Sequence, residues 1–535
     1  MKRTLALRAA PILLLVLISS LIGSCAGPQA TAGSIQVDVV ADGERETYAV
    51  PAGSTVQQAL QSVGVELSSL DRTDPPTYAV LTDGAEVQVT RVEERFEIEQ
   101  VVLPFERQTV RNEGLPEGET RLLQAGINGT QEITYRIVEE QGEEISRTPV
   151  KQTVIEPPQP EIVMIGAQAS FTPISIAGRL AYISGGNAWL MESNSVNRRP
   201  LVVTADLDGR IFELSPDGGW LIFSRRADEG SGDINSLWLL AVNEVGAEPI
   251  DLGTSNVIHF AAFSPSKIRL QVAYSTVEPS AAAPGWQANN DLGLLTLSHA
   301  GRILLREMLL DPNAGGQYGW WGTDFRWAPD GQQLAFARAD SIGTIDVSDP
   351  SFDVLYDLTP YQTLSDWAWV PGIAWGGGSR SLFFVDHGAP VGLEDPSASP
   401  AFDLSARLAD SGQTVALAER TGMFAQPVAS PTTVGNGGEN SVQFAYFQAT
   451  DPFNSQDSSY RLALIDRDGS NRHTVFPGPG ESGLRGDDLR PVVWSPSGDR
   501  MAFRYRNDLW IYDVASNHAQ QVTGDGQLAA YDWKP

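Results

Sequence analysis

Cysteine is almost missing from this chain. One thiol among 535 residues excludes an intramolecular disulfide and any cysteine-rich metal site. Lysine is nearly as scarce, with only Lys2, Lys151, Lys267 and Lys534, and 37 basic side chains face 66 acidic ones. The resulting formal charge of −29 excludes a phosphate-hugging nucleic-acid binder, which needs a basic footprint. Five histidines are scattered, and no HExxH or histidine–carboxylate cluster has metal-ligand spacing. A GxSxG elbow and a glycine-rich phosphate loop are also lacking, so no metal or cofactor is expected. What remains is globular in balance, at 42% hydrophobic and 19% charged residues. The 51 glycines and 34 prolines imply many turns and a mainly β chain, and the length allows two to four domains.

The chain opens MKRTLALRAAPILLLVLISSLIGSC. Lys2, Arg3 and Arg8 form a positive region ahead of an apolar run, Ile12 to Ile22, that is too short to cross a membrane comfortably. A secretory signal is expected. Its end, Ile22-Gly23-Ser24-Cys25, resembles the bacterial lipobox, which implies that the Cys25 thiol receives diacylglycerol and holds the protein on the outer face of a bacterial membrane. The other reading is an ordinary signal peptide cleaved nearby, leaving a free thiol. Residues 1–25 are thus assigned to the signal, and residues 26–34 (AGPQATAGS) to a flexible tether.

Residues 35–92 begin with alternating strands, IQVDVV and RETYAV, around an Asp42-Gly43 turn. The segment STVQQALQSVGV has Val56, Leu60 and Val63 at helical spacing behind a Ser54 or Thr55 cap, and AEVQVTRV closes the stretch as a strand. This ββαβ order resembles the small ubiquitin-like α+β module that precedes a G-five domain in resuscitation-promoting factors. Residues 93–167 run as long strands punctuated by Gly118, Gly126, Gly129, Gly142 and Gly166, closing on IVMIG, a pattern that resembles the G-five domain over its whole length. Positive φ at turns of a thin, nearly coreless sheet is the expected use of these glycines. The resemblance implies a spacer or a contact to wall glycans containing N-acetylglucosamine. Residues 35–167 hold 24 acidic and 10 basic side chains, which suits a solvated, self-repelling stalk.

From about residue 168 a unit recurs: apolar strand, Ser/Ala-Pro-x-Gly-like turn, then a strand ending in an aromatic. Copies are FELSPDGGWLIFSR, FAAFSPSKIRLQVAYS, FRWAPDGQQLAFAR and VVWSPSGDRMAFRY, with weaker ones at IAWGGGSRSLFFVD and NSVQFAYFQA. Repeats of this length built of short strands signal a β-propeller. The copies resemble TolB-like, WD-repeat-related propellers. Second strands near Leu180, Trp220, Leu270, Leu334, Ser381, Val442 and Met501 predict seven blades, with six as the alternative if region 387–440 holds less structure. The first copy lacks an inner strand and the chain ends on AAYDWKP, so the C-terminal strand is expected to close the ring over residues 168–535.

Most long loops fall on one face of such a ring. Three of them carry aromatics, Trp286, then Tyr318, Trp320 and Trp321, then Trp367 and Trp369, which suit sugar faces or protein hot spots. Capping of the blade cores is the competing use. The expected protein is a non-catalytic, lipid-anchored envelope binder for a protein partner or a peptidoglycan-type glycan. The rival is an extracytoplasmic propeller hydrolase or lyase, which needs acids, bases or metal ligands converging on the inner strands. Sequence spacing shows no such convergence, and His259 is the one histidine near an inner strand.

Overall fold

The computed structural model describes residues 33–535 except 168–170, 267, 389–390, 409–410 and 432–441. The expected signal peptide and lipobox, Cys25 included, lie outside the described residues. The chain packs as two compact units, one of residues up to 107 with 124–161, the other of residues 108–123 with 162–535.

In the first unit, strands Ser34–Ala41 and Glu44–Pro51 form a hairpin, and Ser34–Ala41 also pairs in parallel with Ala85–Thr90. Helix Val56–Ser62 starts at Thr55 because its hydroxyl accepts from the Gln58 amide while the Gln58 side chain caps Thr55 in return. Val56, Ala59 and Leu60 on the helix meet Val37, Val39, Val87 and Val89 on the sheet, so a small core exists. A short fourth strand, Arg72–Asp74, adds to the expected ββαβ order. Beyond it, strands Val92–Leu103, Gly129–Glu140 and Glu143–Glu156 make a three-stranded sheet whose last strand is exposed throughout. Cross-strand pairs such as Arg95–Glu139 and Arg136–Glu94, both 2.8 Å, stand where a core would.

The glycines of this stretch divide into two kinds. Gly118 and Gly142 take positive φ at turns, as expected. Gly126, Gly129 and Gly166 do not; a Cβ there would meet the Phe105 ring, the Glu156 carbonyl or the Pro116 carbonyl. Close approach of a second chain segment, not backbone handedness, demands glycine at these three.

In the second unit, seven four-stranded antiparallel sheets follow one another among the described residues. Their second strands are Ser175–Ser184, Trp220–Arg226, Leu270–Tyr274, Gln333–Ala337, Ser381–His387, Gln443–Ala449 and Arg500–Tyr505. The inner strand of the first blade is the C-terminal strand Leu528–Lys534, paired antiparallel with Ser175–Ser184 from Arg179↔Lys534 to Ser184↔Leu528. The Ser-Pro-x-Gly turns explain how inner strands feed second strands. The Gly218 amide reaches the Ser215 carbonyl at 2.7 Å, and Ser215 Oγ takes the Trp220 amide at 2.9 Å. Ser495 repeats the arrangement with Gly498 and Arg500. Tryptophans on inner strands then tie blades four, five and seven to the ones before: Trp327 Nε1 donates to the Ala262 carbonyl, Trp375 to Arg326 and Trp494 to Val428.

The boundary expected at 167/168 does not coincide with a packing boundary. Val110, Leu115, Ile162 and Met164 share a core with Leu180, Met191 and Trp533 of the first blade. Arg198 Nη1 meets Glu113 Oε2 at 2.6 Å with side chains only 5% and 11% exposed, and the Gly524 amide donates to Glu113 Oε1 at 3.0 Å. Removing one partner of a buried ion pair strands the other charge. Glu113→Ala is therefore expected to cost about 3–5 kcal/mol of unfolding free energy, read by denaturant titration; a loss no larger than that of an exposed glutamate would refute a buried pair.

Candidate functional site

The long connections on one propeller face bring five of the six predicted aromatics together. The second-to-third-strand connection of blade three forms a short hairpin, Val277–Pro279 with Trp286–Ala288, which raises Trp286 beside Trp321 at 5.5 Å between ring centres. Trp320 meets Trp321 edge to face at 5.9 Å, and His259 lies 5.8 Å from Trp286. Buried Asn290 holds this loop cluster: its Nδ2 donates to the Gly319 carbonyl at 2.8 Å, and its Oδ1 accepts from Thr323. A cavity of about 410 Å³ opens between Tyr318, Trp320, Tyr361, Leu364 and Trp367. Trp321 and Trp367 also line an adjoining, shallower hollow with Pro284 and Asp366.

Two lining residues carry left-handed backbone without being glycine, Tyr318 at φ 59° and Leu364 at φ 53°. Such conformations cost about 1–3 kcal/mol each and persist only where surrounding structure imposes them. Leu364 is also 89% exposed, at the rim of the aromatic cavity. Tyr361 and Leu364 were missing from the sequence-based set. The isolated leucine in YQTLSDWAW was the one signal available, since a lone apolar residue among polar ones marks neither a strand nor a helix face.

Trp369 is a correction. It is 2% exposed, donates Nε1 to the Met423 carbonyl at 3.0 Å and packs on Phe402 at 5.0 Å. A tryptophan whose N–H finds a backbone acceptor is free to join a core. Beside it, buried His387 places its two ring nitrogens 2.6 Å from the Thr359 carbonyl and 2.7 Å from that of Ser399. The loop positions Thr359 and Ser399 are thereby pinned to His387, which also packs against Tyr361 of the cavity.

The axial channel is the second candidate. One part, about 670 Å³, is lined by Arg210, Glu213, His259, Arg490, Asp532 and Lys534 among others, so two carboxylates do converge on inner strands, which sequence spacing had not revealed. Asp532 is engaged: Oδ2 accepts the Leu214 amide at 2.8 Å, and Oδ1 lies 3.4 Å from Lys534 Nζ. Burial pushes the Glu213 carboxyl well above the ordinary carboxylate range; Asp532 adds to this, while Lys534 and Arg326 oppose it. Burial likewise pushes His259 down, and its Nε2 is enclosed without a hydrogen-bond partner. Among the described residues no group of three or more His, Cys, Asp or Glu could hold a metal ion.

Comparison with known proteins adds to this geometry. Residues 94–168 match the G5 domain family, and residues 455–532 match the dipeptidyl peptidase IV N-terminal region. Resuscitation-promoting factor Rpf2 of Corynebacterium glutamicum is 27% identical over 154 residues, covering 29% of this chain and 41% of its own. Resuscitation-promoting factor RpfB of Mycolicibacterium smegmatis is 25% identical over 173 residues, covering 31% and 47%. The chain spans less than half the length of these curated relatives. A structure from a mechanistic study of two prolyl endopeptidases aligns with 65% of this chain and 49% of its own, at 11% identity and a TM-score of 0.42.

The channel electrostatics have a pH signature. A carboxyl whose folded value is raised holds its proton longer folded than unfolded, so its contribution to stability is lost as pH climbs from about 4.3 through the raised value. Glu213→Gln lacks that loss. Its melting temperature is expected to gain steadily on the parent's between pH 5 and 9; parallel curves would show that Glu213 is not desolvated.

Proposed function

We propose that this chain is an exported cell-envelope protein, lipid-anchored through Cys25, whose propeller is a non-catalytic platform for an envelope partner, a protein in the first place and a wall glycan in the second. The aromatic cavity carries this reading. Tyr318 and the exposed Leu364, both in left-handed backbone, and the Trp320 and Trp367 walls form an aromatic hollow on the loop-rich face with Gln362, Thr363 and Ser365 as polar lining, the arrangement that anchors hot spots at low entropic cost. The G5 domain and the partial likeness to resuscitation-promoting factors support an extracellular or wall-associated setting. Among the described residues no helix is long and apolar enough to cross a membrane.

A second reading rests on Glu213 and Asp532, two channel carboxylates in unlike environments, which is the pattern of an acid and a base in hydrolysis. The commitment of Asp532 to Lys534 and the Leu214 amide favours the platform.

The test uses the full chain with purified wall sacculi and with membrane-protein extract. The Trp320→Ala/Trp321→Ala double variant is expected to weaken retention of the bound component at least tenfold with an unchanged melting temperature. Undiminished retention sinks the aromatic site, and release of soluble fragments from sacculi, lost in Glu213→Gln, replaces the platform by the enzyme. Anchoring is checked separately: Cys25→Ser should abolish incorporation of labelled palmitate and release the protein from membranes, whereas labelled Cys25→Ser protein would exclude the lipobox.

A further inference from the structure

The channel is basic in an acidic protein. Its larger part is lined by Arg210, Arg326, Arg490 and Lys534 against only Glu213 and Asp532, while the chain as a whole carries −29. Most of these cations are spoken for. Lys534 pairs with Asp532 at 3.4 Å, Arg326 with Asp324 at 2.8 Å, and Arg210 has Asp208 at 4.0 Å and lies over the Trp286 ring at 5.3 Å. Arg490 differs. Among the described residues no carboxylate oxygen lies within 4.0 Å of its guanidinium, and its one hydrogen bond runs from Nη1 to the Gly209 carbonyl at 3.1 Å. Neighbouring Arg504 spends Nη2 on Asn507 at 2.5 Å and Asp487 at 3.5 Å and has Asp488 3.9 Å from its Nε, which is buried without a hydrogen-bond partner.

Half-buried, Arg490 thus keeps most of its five donors unspent towards the cavity. Burial, then Arg504 and Arg210, lower its affinity for its proton, while Tyr531 and the more distant Asp487 oppose them, as expected of a cation with no carboxylate in contact. A desolvated guanidinium with a free planar fork is matched by a carboxylate, which it holds through two parallel N–H···O bonds. The residue sits at the end of the 477–492 connection, on the face that carries the aromatic cavity, and Ile211, Phe260 and Tyr531 supply apolar wall beside it.

We propose that Arg490, flanked by Arg210, receives the C-terminal carboxylate of a partner polypeptide inserted into the channel mouth. A terminal carboxylate is carried at a chain end, which can enter an axial well, whereas the carboxylates of an acidic glycan hang laterally from a chain that would have to thread. The apolar wall then takes the last side chain. This deepens the platform reading and rests on it, but uses a different set of residues from the aromatic cavity.

The experiment offers the full chain two pools of N-acetylated octapeptides randomised over the last four positions, one with free and one with amidated C-termini, and a galacturonate tetramer as an acidic glycan. Retention is read by mass spectrometry. The free-acid pool is expected to be retained at least tenfold over the amide pool, and Arg490→Gln to remove that preference without changing the melting temperature. Arg490→Lys, which keeps the charge but not the fork, should recover it only in part. Equal retention of both pools, retention of neither, a preference that survives Arg490→Gln, or Arg490-dependent binding of the tetramer alone would overturn the proposal. The Trp320→Ala/Trp321→Ala variant separates the two sites: loss of sacculus or extract binding with the carboxylate preference intact leaves Arg490 standing. Loss of the preference in Arg490→Gln with extract binding intact leaves the aromatic cavity standing.

Discussion

The propeller depends on one pairing, that of Leu528–Lys534 with Ser175–Ser184. An open ring of sheets would leave the inner edge of the first blade and the end of the last unpaired, and unpaired edges expose a row of backbone donors and acceptors. Closure makes two segments more than 300 residues apart neighbours in one sheet. Trp533 then donates Nε1 to the Ala177 carbonyl at 2.7 Å, and Asp532 caps the Leu214 amide of the second blade. The side chains that line the channel, Glu213, Asp532 and Lys534, hold their positions because this last strand is an inner strand.

The same seam recruits residues that a linear division of the chain would give to another module. Glu113 is gripped by Arg198 of the first blade and the Gly524 amide just before the closing strand. Arg198 in turn donates to the Val522 carbonyl at 2.6 Å. A buried ion pair is costly to assemble and worse to break, so its place at the closure makes residues 108–123 part of the propeller's own stability. The acidic excess of residues 35–167 falls in part on exposed strands such as Glu143–Glu156, where solvation accounts for it, with buried Glu113 as an exception.

Both proposed sites sit where regularity fails. The blades are ordinary antiparallel sheets, while the long connections hold Tyr318 and Leu364 in conformations that the surroundings impose. The aromatic cavity and the Arg490 end of the channel lie on one propeller face, one walled by rings, the other cationic with no carboxylate in contact. Together they describe a surface suited to a partner with an apolar patch and an anionic end.

Local rules were legible from residue order alone. Period-two alternation, the Ser/Ala-Pro-x-Gly turns and the Thr55 cap each act within a few residues, so strands and the short helix follow from neighbours in sequence, and the unpaired first copy marks the closing strand. The clustering of loop aromatics was half legible. Trp286, Tyr318, Trp320, Trp321 and Trp367 do line the loop-rich face, but Trp369 turned inward because Met423, fifty-four residues away, offers its carbonyl. Close approaches at Gly126, Gly129 and Gly166 and the Glu113–Arg198 pair were decided by distant segments. The same holds for the absence, among the described residues, of a carboxylate in contact with Arg490. By itself the sequence determined which elements form and in what order; the tertiary structure alone decided which charges and rings are satisfied, because satisfaction depends on neighbours that only ring closure brings within hydrogen-bond distance.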